Sequence, residues 1–164
     1  MIHHRPTPGD GDAGFTLVEV LITMVLMGVM MAVAVAGWNS WASAREQSGT
    51  AQEITSYLRQ AQQRAVTEGR AMCVDFDLAK SEWSLYRGRC DGTDRTLLEG
   101  PIPTDSDKVD IASASFTSTA SGQHGVTFTA RGTATPGTVR ITRSGTDKAY
   151  VIHVEGLTGR VSIS

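Results

Sequence analysis

The chain has 164 residues and a formal net charge of -2. Its length leaves room for one compact domain once a membrane segment is set aside. Its near-neutral charge excludes an overall basic field that would draw the whole protein onto nucleic acid or an anionic membrane surface, so its partners have to be sought in local features.

The first of these features is the N-terminus. Residues 1–14 read as a cytoplasmic leader whose only Lys or Arg is Arg5, beside Asp10 and Asp12. From Val20 through Ala44 there is no Asp, Glu, Lys or Arg, and Phe15 to Gly37 carries one charge, Glu19. As a helix, Phe15 to Gly37 spans roughly 34 Å, enough to cross a hydrocarbon core. Three readings compete: a plain anchor, a cleaved secretory signal, or a segment that serves first as anchor and later as polymer core. Ala34 and Ala36 form an A-x-A site before Gly37, as a signal peptide would. Against that reading, the apolar run exceeds the usual h-region of about 7–15 residues and the leader is barely positive. Glu19 weighs against a plain anchor, because a carboxylate at mid-bilayer costs about 2.5–3.5 kcal/mol.

The run Gly14-Phe15-Thr16-Leu17-Val18-Glu19-Val20-Leu21 resembles the cleavage and methylation motif of type IV prepilins and type II secretion pseudopilins. The resemblance implies that a prepilin peptidase cuts between Gly14 and Phe15 and methylates the new amino group. It also implies that other pilin or pseudopilin subunits are partners, and that the chain is a single-pass protein of the bacterial cytoplasmic membrane with its head outside. Gly14 has no Cβ, which suits close entry into a protease cleft. Glu19, one turn from Phe15, would pair with the amino group of a neighbouring subunit, offsetting its burial. Two features depart from the family: the leader is acidic at Asp12, and the late helix-breaking Pro of many major pilins is replaced by Ala36-Gly37. Any local melting would rest on Gly28 and Gly37.

The membrane helix is expected over 15–44, with Trp38 and Trp41 at the outer interface. A weak point is expected at Ser48-Gly49-Thr50, within an amphipathic segment over 45–69. Ile54, Leu58, Ala61 and Ala65 form its apolar stripe, Gln52, Glu53, Arg59, Gln63 and Arg64 face elsewhere, and Gly69 is the C-cap.

From Ala71 the period changes to two. Met72, Val74, Phe76 and Leu78 alternate with Cys73, Asp75 and Asp77, and Ala79-Lys80-Ser81 turns the chain into a strand around Trp83 to Tyr86. Further strands are expected over Thr96–Glu99, Lys108–Ala112, Val126–Arg131, Thr138–Thr142, Ala149–Glu155 and Arg160–Ile163. Ala112 to Gly125, small and polar, reads as a long mobile loop. The fold class is α+β: a long N-terminal helix packed on one face of a small antiparallel sheet head over 70–164, pilin-like. Val126 to Thr133, Gly137-Thr138-Val139, Gly159-Arg160-Val161 and Leu58-Arg59-Gln60-Ala61 add a resemblance to the GspH/FimT group of minor pseudopilins and pilins, although Arg131 stands where that group often has Pro.

Cys73 and Cys90 are the only cysteines. Cys90 falls a few residues past the position opposite Cys73, so a disulfide worth about 3 kcal/mol is expected if the compartment is oxidising, two separate thiols being the alternative. His124 and His153 lack metal-ligand spacing, Asp105, Asp107 and Asp110 read as a solvated loop, and no nucleotide or nucleophile motif occurs. No catalytic residue, metal or cofactor is expected, and no enzyme activity. The preferred reading is a structural minor subunit of a secretion pseudopilus or type IV pilus. The alternative is a head that binds DNA or a surface through Arg131, Arg140, Arg143, Lys148 and Arg160; nucleic acid is a possible partner but not the favoured one. Strand alternation would put Arg140 and Arg143 on opposite faces.

Overall fold

A computed structural model describes residues 16–117 and 124–164, and for 36–44 the backbone alone. The chain forms two compact units, Met1–Trp41 and Ala42–Ser164. Helix α1, Leu17–Glu68, contributes to both.

In the first unit every described side chain of α1 is exposed, and Leu17–Val35 is long and apolar enough to cross a membrane. Its 19 residues span about 28 Å, close to a hydrocarbon core.

In the second unit the same helix is amphipathic. Ala51, Ile54, Leu58, Ala61 and Ala65 are buried, as the stripe predicts, and Tyr57 joins them. The expected weak point at Ser48-Gly49-Thr50 is not there, since α1 runs straight through it. A helical Gly costs only about 1 kcal/mol, and packing on either side outweighs that cost. Thr50 is fully buried with its hydroxyl on the Glu46 carbonyl, while buried Gln47 donates from Nε2 to the carbonyls of Ile141 (3.2 Å) and Lys148 (2.9 Å). The helix ends as expected at Gly69, where a φ of 63° lets Arg70 N–H reach the Ala65 carbonyl in a Schellman closure.

The expected single sheet is in fact two antiparallel four-stranded sheets. The first has the order β3-β2-β1-β5 and contains β1 (Met72–Asp77), β2 (Glu82–Arg87), β3 (Thr96–Pro103) and β5 (Val126–Phe128). The second has the order β4-β6-β7-β8 and contains β4 (Val109–Phe116), β6 (Gly137–Arg143), β7 (Ala149–Val154) and β8 (Val161–Ile163). One core joins both to the helix: Leu58 and Ile54 meet Trp83, Leu85, Phe128, Ile111, Ile141 and Ile152 in the same buried cluster. The second sheet arises because β5 takes the free edge of β1, pairing Cys73 with Thr127, and leaves β4 to pair with β6.

Ser81 stitches the sheets together from the β1–β2 turn. Held at a φ of 53°, it accepts the Ile111 N–H at Oγ (3.2 Å) and the Thr104 N–H at its carbonyl (3.1 Å). Thr104 Oγ1 in turn donates to the Val109 carbonyl. The outer edge of β4 is thereby capped, which guards it against pairing with foreign strands.

The expected mobile loop over Ala112–Gly125 is corrected as well, because β4 continues to Phe116. A bulge between Ile111 and Ser113 shifts the alternation, so that Val109 and Ile111 point inward before it and Ala114 and Phe116 after it. Residues 118–123 of that segment lie outside the described residues. Conversely, the strand expected over Val126–Arg131 stops at Phe128, where Thr129 to Gly132 turn on the Gly132 N–H to Thr129 carbonyl bond.

Candidate functional site

The helix start assembles the first candidate site. Thr16 precedes the first helical residue, and its Oγ1 accepts the Glu19 N–H at 3.3 Å while its carbonyl accepts the Glu19 and Val20 N–H groups. This is an N-cap with Glu three residues on, a spacing in which the carboxylate also meets the positive end of the helix dipole. Glu19 is the only charged residue of Leu17–Val35, and among the described residues its carboxylate makes no hydrogen bond or ion pair. Over Leu17–Val35 the helix therefore presents one ionisable group, in its first turn, on a fully exposed surface that is otherwise apolar except for Thr23. Gly14 and Phe15 lie outside the described residues, as do the side chains of Trp38 and Trp41.

Cys73 and Cys90 form a disulfide with Cα atoms 5.0 Å apart. Cys73 faces Tyr86 across β1 and β2, so Cys90 sits four residues beyond the opposite position, as the sequence indicates. The bridge holds the segment after β2 against β1, while the Cys90 N–H donates to Thr127 Oγ1 on β5. Arg95, which the sequence reading passed over, completes this corner. It pairs with Asp75 at 2.8 Å and lies 4.5 Å over the Tyr86 ring. Its only signal in the sequence was its place five residues past Cys90.

The basic residues are not gathered into one patch. Arg143 ends β6 and Lys148 precedes β7, at the end of the second sheet that Gln47 reaches. Arg160 precedes β8 and Arg131 follows β5, at the other end, where Gln62 Nε2 donates to the carbonyls of Gly132 (2.9 Å) and Thr158 (3.0 Å). Arg140 is exposed between the buried Val139 and Ile141, whereas Arg143 turns its Nε inward with no hydrogen-bond partner among the described residues. The two do point to opposite faces.

Between helix and first sheet, Tyr57 packs edge-on to Trp83 at 6.3 Å, and burial, then the nearby Glu99 carboxylate, push its hydroxyl up to about 12. Among the described residues that hydroxyl has no partner of ordinary hydrogen-bond geometry, despite the proximity of Glu99. Glu53 is likewise raised, by partial burial and then by Asp105. His124 Nδ1 lies 2.9 Å from the Ala114 carbonyl and His153 Nε2 3.1 Å from Ser164 Oγ. Among the described residues no three His, Cys, Asp or Glu gather as metal ligands.

Comparison with known proteins places this geometry. The family model described as type II transport protein GspH matches residues 50–158, more than half of the chain, and the prokaryotic N-terminal methylation motif matches residues 10–35. No curated protein sequence matches the chain significantly. Among solved structures, the minor pseudopilin EpsH from the type 2 secretion system of Vibrio cholerae is similar over 73% of this chain and 96% of its own, at 15% identity and a TM-score of 0.56. The type IV minor pilin FimU of Pseudomonas aeruginosa is similar over 76% of this chain and 92% of its own, at 21% identity and a TM-score of 0.55. At these identities the likeness speaks to the fold, a pilin-like helix with antiparallel sheets.

Proposed function

The chain belongs to the GspH family of type II transport proteins, and from that premise we propose that it is a minor pseudopilin or pilin subunit whose apolar helix leaves the membrane to pack inside a filament. The observation that carries this reading is Glu19: the one carboxylate of the stretch Leu17–Val35, at the capped first turn of α1, where every apolar side chain of that stretch is exposed. In lipid that group is a cost with no return, whereas beside a cationic amino terminus of the next subunit it becomes half of a pair. Phe15 supplies that amino group if the peptidase cuts after Gly14. The methylation motif supports the cut, and the N-terminus then lies in the cytoplasm until extraction.

The head is structural in this reading, consistent with a family of pilin and pseudopilin subunits, and it needs no cofactor. DNA binding is the less favoured alternative, because Arg143 and Lys148 lie at one end of the second sheet, Arg131 and Arg160 at the other, and Arg140 in the middle of β6.

The test is N-terminal analysis of the processed protein. The expected first residue is methylated Phe15, with the leader retained when Gly14 is replaced by a bulky residue. A first residue at Gly37 makes the segment a secretory signal, and an intact Met1 in wild-type protein makes it a plain anchor.

A further inference from the structure

One end of the head carries an apolar residue that the fold holds out into solvent. Leu157, at the tip of the turn between β7 and β8, is 91% exposed, the most of any large apolar residue described in Ala42–Ser164. A lone leucine on a loose loop would need no explanation, but this turn is fixed at several points. The Glu155 N–H binds the Arg160 carbonyl across its base, and the Ala134 N–H binds the Gly156 carbonyl. Gln62 Nε2 donates to the Thr158 carbonyl, while Thr158 Oγ1 donates to Glu155 and accepts the Arg160 N–H. Gly159, buried at a φ of 62°, lies so close to Gln62 and the Gly132 carbonyl that no Cβ fits. An anchor already ordered in the free protein loses little conformational freedom when it binds.

Arg131 and Arg160 flank this anchor, since the single amide of Gln62 bonds both the Gly132 and the Thr158 carbonyl. Both arginines are exposed and, among the described residues, neither is in an ion pair, whereas the turn's own carboxylate, Glu155, is held by Thr158. Val66, half exposed on α1, adds apolar surface beside Gly132. The patch is an apolar centre with guanidinium groups at its rim, as in the centre of many protein interfaces. Its complement is an apolar pocket edged by Asp or Glu, because a guanidinium binds a carboxylate through two directed hydrogen bonds. A nucleic-acid backbone would satisfy the arginines and leave Leu157 without a partner.

Gln62 lies about 22 Å along α1 from Gln47, which binds the opposite end of the second sheet. The Leu157 turn is therefore at the end of the head farther from Ala42. We propose that this end docks on a different pilin-like subunit of the same filament, with Leu157 in an apolar pocket and Arg131 and Arg160 on carboxylates at its rim. The inference rests on reading the chain as a minor filament subunit. Subunits that point the same way bring the far end of one head against the neighbour one step on, and a minor subunit is outnumbered, so that neighbour is another protein.

The test places the photo-crosslinker p-benzoylphenylalanine at position 157 of the full-length chain in cells that make the filament, and identifies adducts in sheared filaments by mass spectrometry. The expected adduct joins position 157 to the head of another subunit with its own N-terminal methylation motif, at an apolar residue flanked by Asp or Glu. Arg131→Glu with Arg160→Glu lowers its yield by about tenfold, and Lys in place of the partner's rim carboxylates restores part of it. Leu157→Asp lowers recovery of that subunit with the chain, while the melting temperature of the head stays at the wild-type value because the side chain is 91% exposed. With the chain present in the filaments, an adduct only to a second copy, to lipid or to DNA, no adduct at all, or a yield indifferent to the arginines overturns the contact and leaves the filament reading standing. Absence of the chain from the filaments removes the filament reading, and the contact falls with it.

Discussion

The two halves of α1 obey opposite rules. From Leu17 to Val35 every side chain is apolar or small except Glu19 and Thr23, and all are exposed; from Ala51 to Ala65 apolar residues keep to one stripe and all of that stripe is buried. One half has completed its packing within the chain and the other has deferred it to a membrane or to neighbouring helices. The hydrophobic effect does not distinguish these settings by residue type, so the placing of polar groups does: Gln47 and Arg59 bond to the second sheet and Gln62 to the turns beside it, whereas the Glu19 carboxylate has no partner among the described residues.

The comparison breaks most sharply at Leu58. It is fully buried, so Leu58→Ala should cost about 2–5 kcal/mol and lower the melting temperature of the head. Leu26→Ala, in the exposed half, should leave that temperature unchanged. Calorimetry of both variants in the same detergent checks the contrast. Next in size, Cys73→Ser with Cys90→Ser should remove about 3 kcal/mol, since the bridge closes a loop of sequence separation 17. Thermal melts with and without reductant on the wild type should reproduce the loss.

A smaller effect comes from Tyr57. Its hydroxyl is raised from 10.0 to about 12 by burial and Glu99, so the unfolded chain gives up this proton first. Stability is therefore fully present below about pH 10 and declines as pH rises towards 12, by on the order of 2 kcal/mol. Tyr57→Phe should flatten that part of the stability profile against pH, and an unchanged slope would place the proton elsewhere.

Several of these features were legible in the sequence. The stripe of Ile54, Leu58, Ala61 and Ala65 is strictly helical in spacing, Gly69 stands where an αL residue must, and the two cysteines straddle a hairpin. What escaped was polar or irregular. Ser48-Gly49-Thr50 looks like a weak point, because the neighbouring buried amide of Gln47 is recognisable only through carbonyls nearly a hundred residues away. The bulge in β4 moves Ala114 and Phe116 out of phase with Val109 and Ile111, which makes a strand look patternless. Two sheets looked like one because alternation reports which side faces the core and not which strand is the neighbour. Ser81 was legible only as part of the turn Ala79-Lys80-Ser81, since its bonds to Ile111 and Thr104 are made to residues far along the chain.

The central claim is that Glu19 serves assembly and not anchoring, and Glu19→Gln tests it most directly. The variant should be cleaved, methylated and inserted like the wild type, because Gln suits the helix and keeps a polar group at its first turn. Breaking one side of a buried pair costs about 3–5 kcal/mol, so its recovery with sheared filaments should fall by more than about a hundredfold. Recovery at the wild-type level would contradict the account and return Glu19 to the membrane surface.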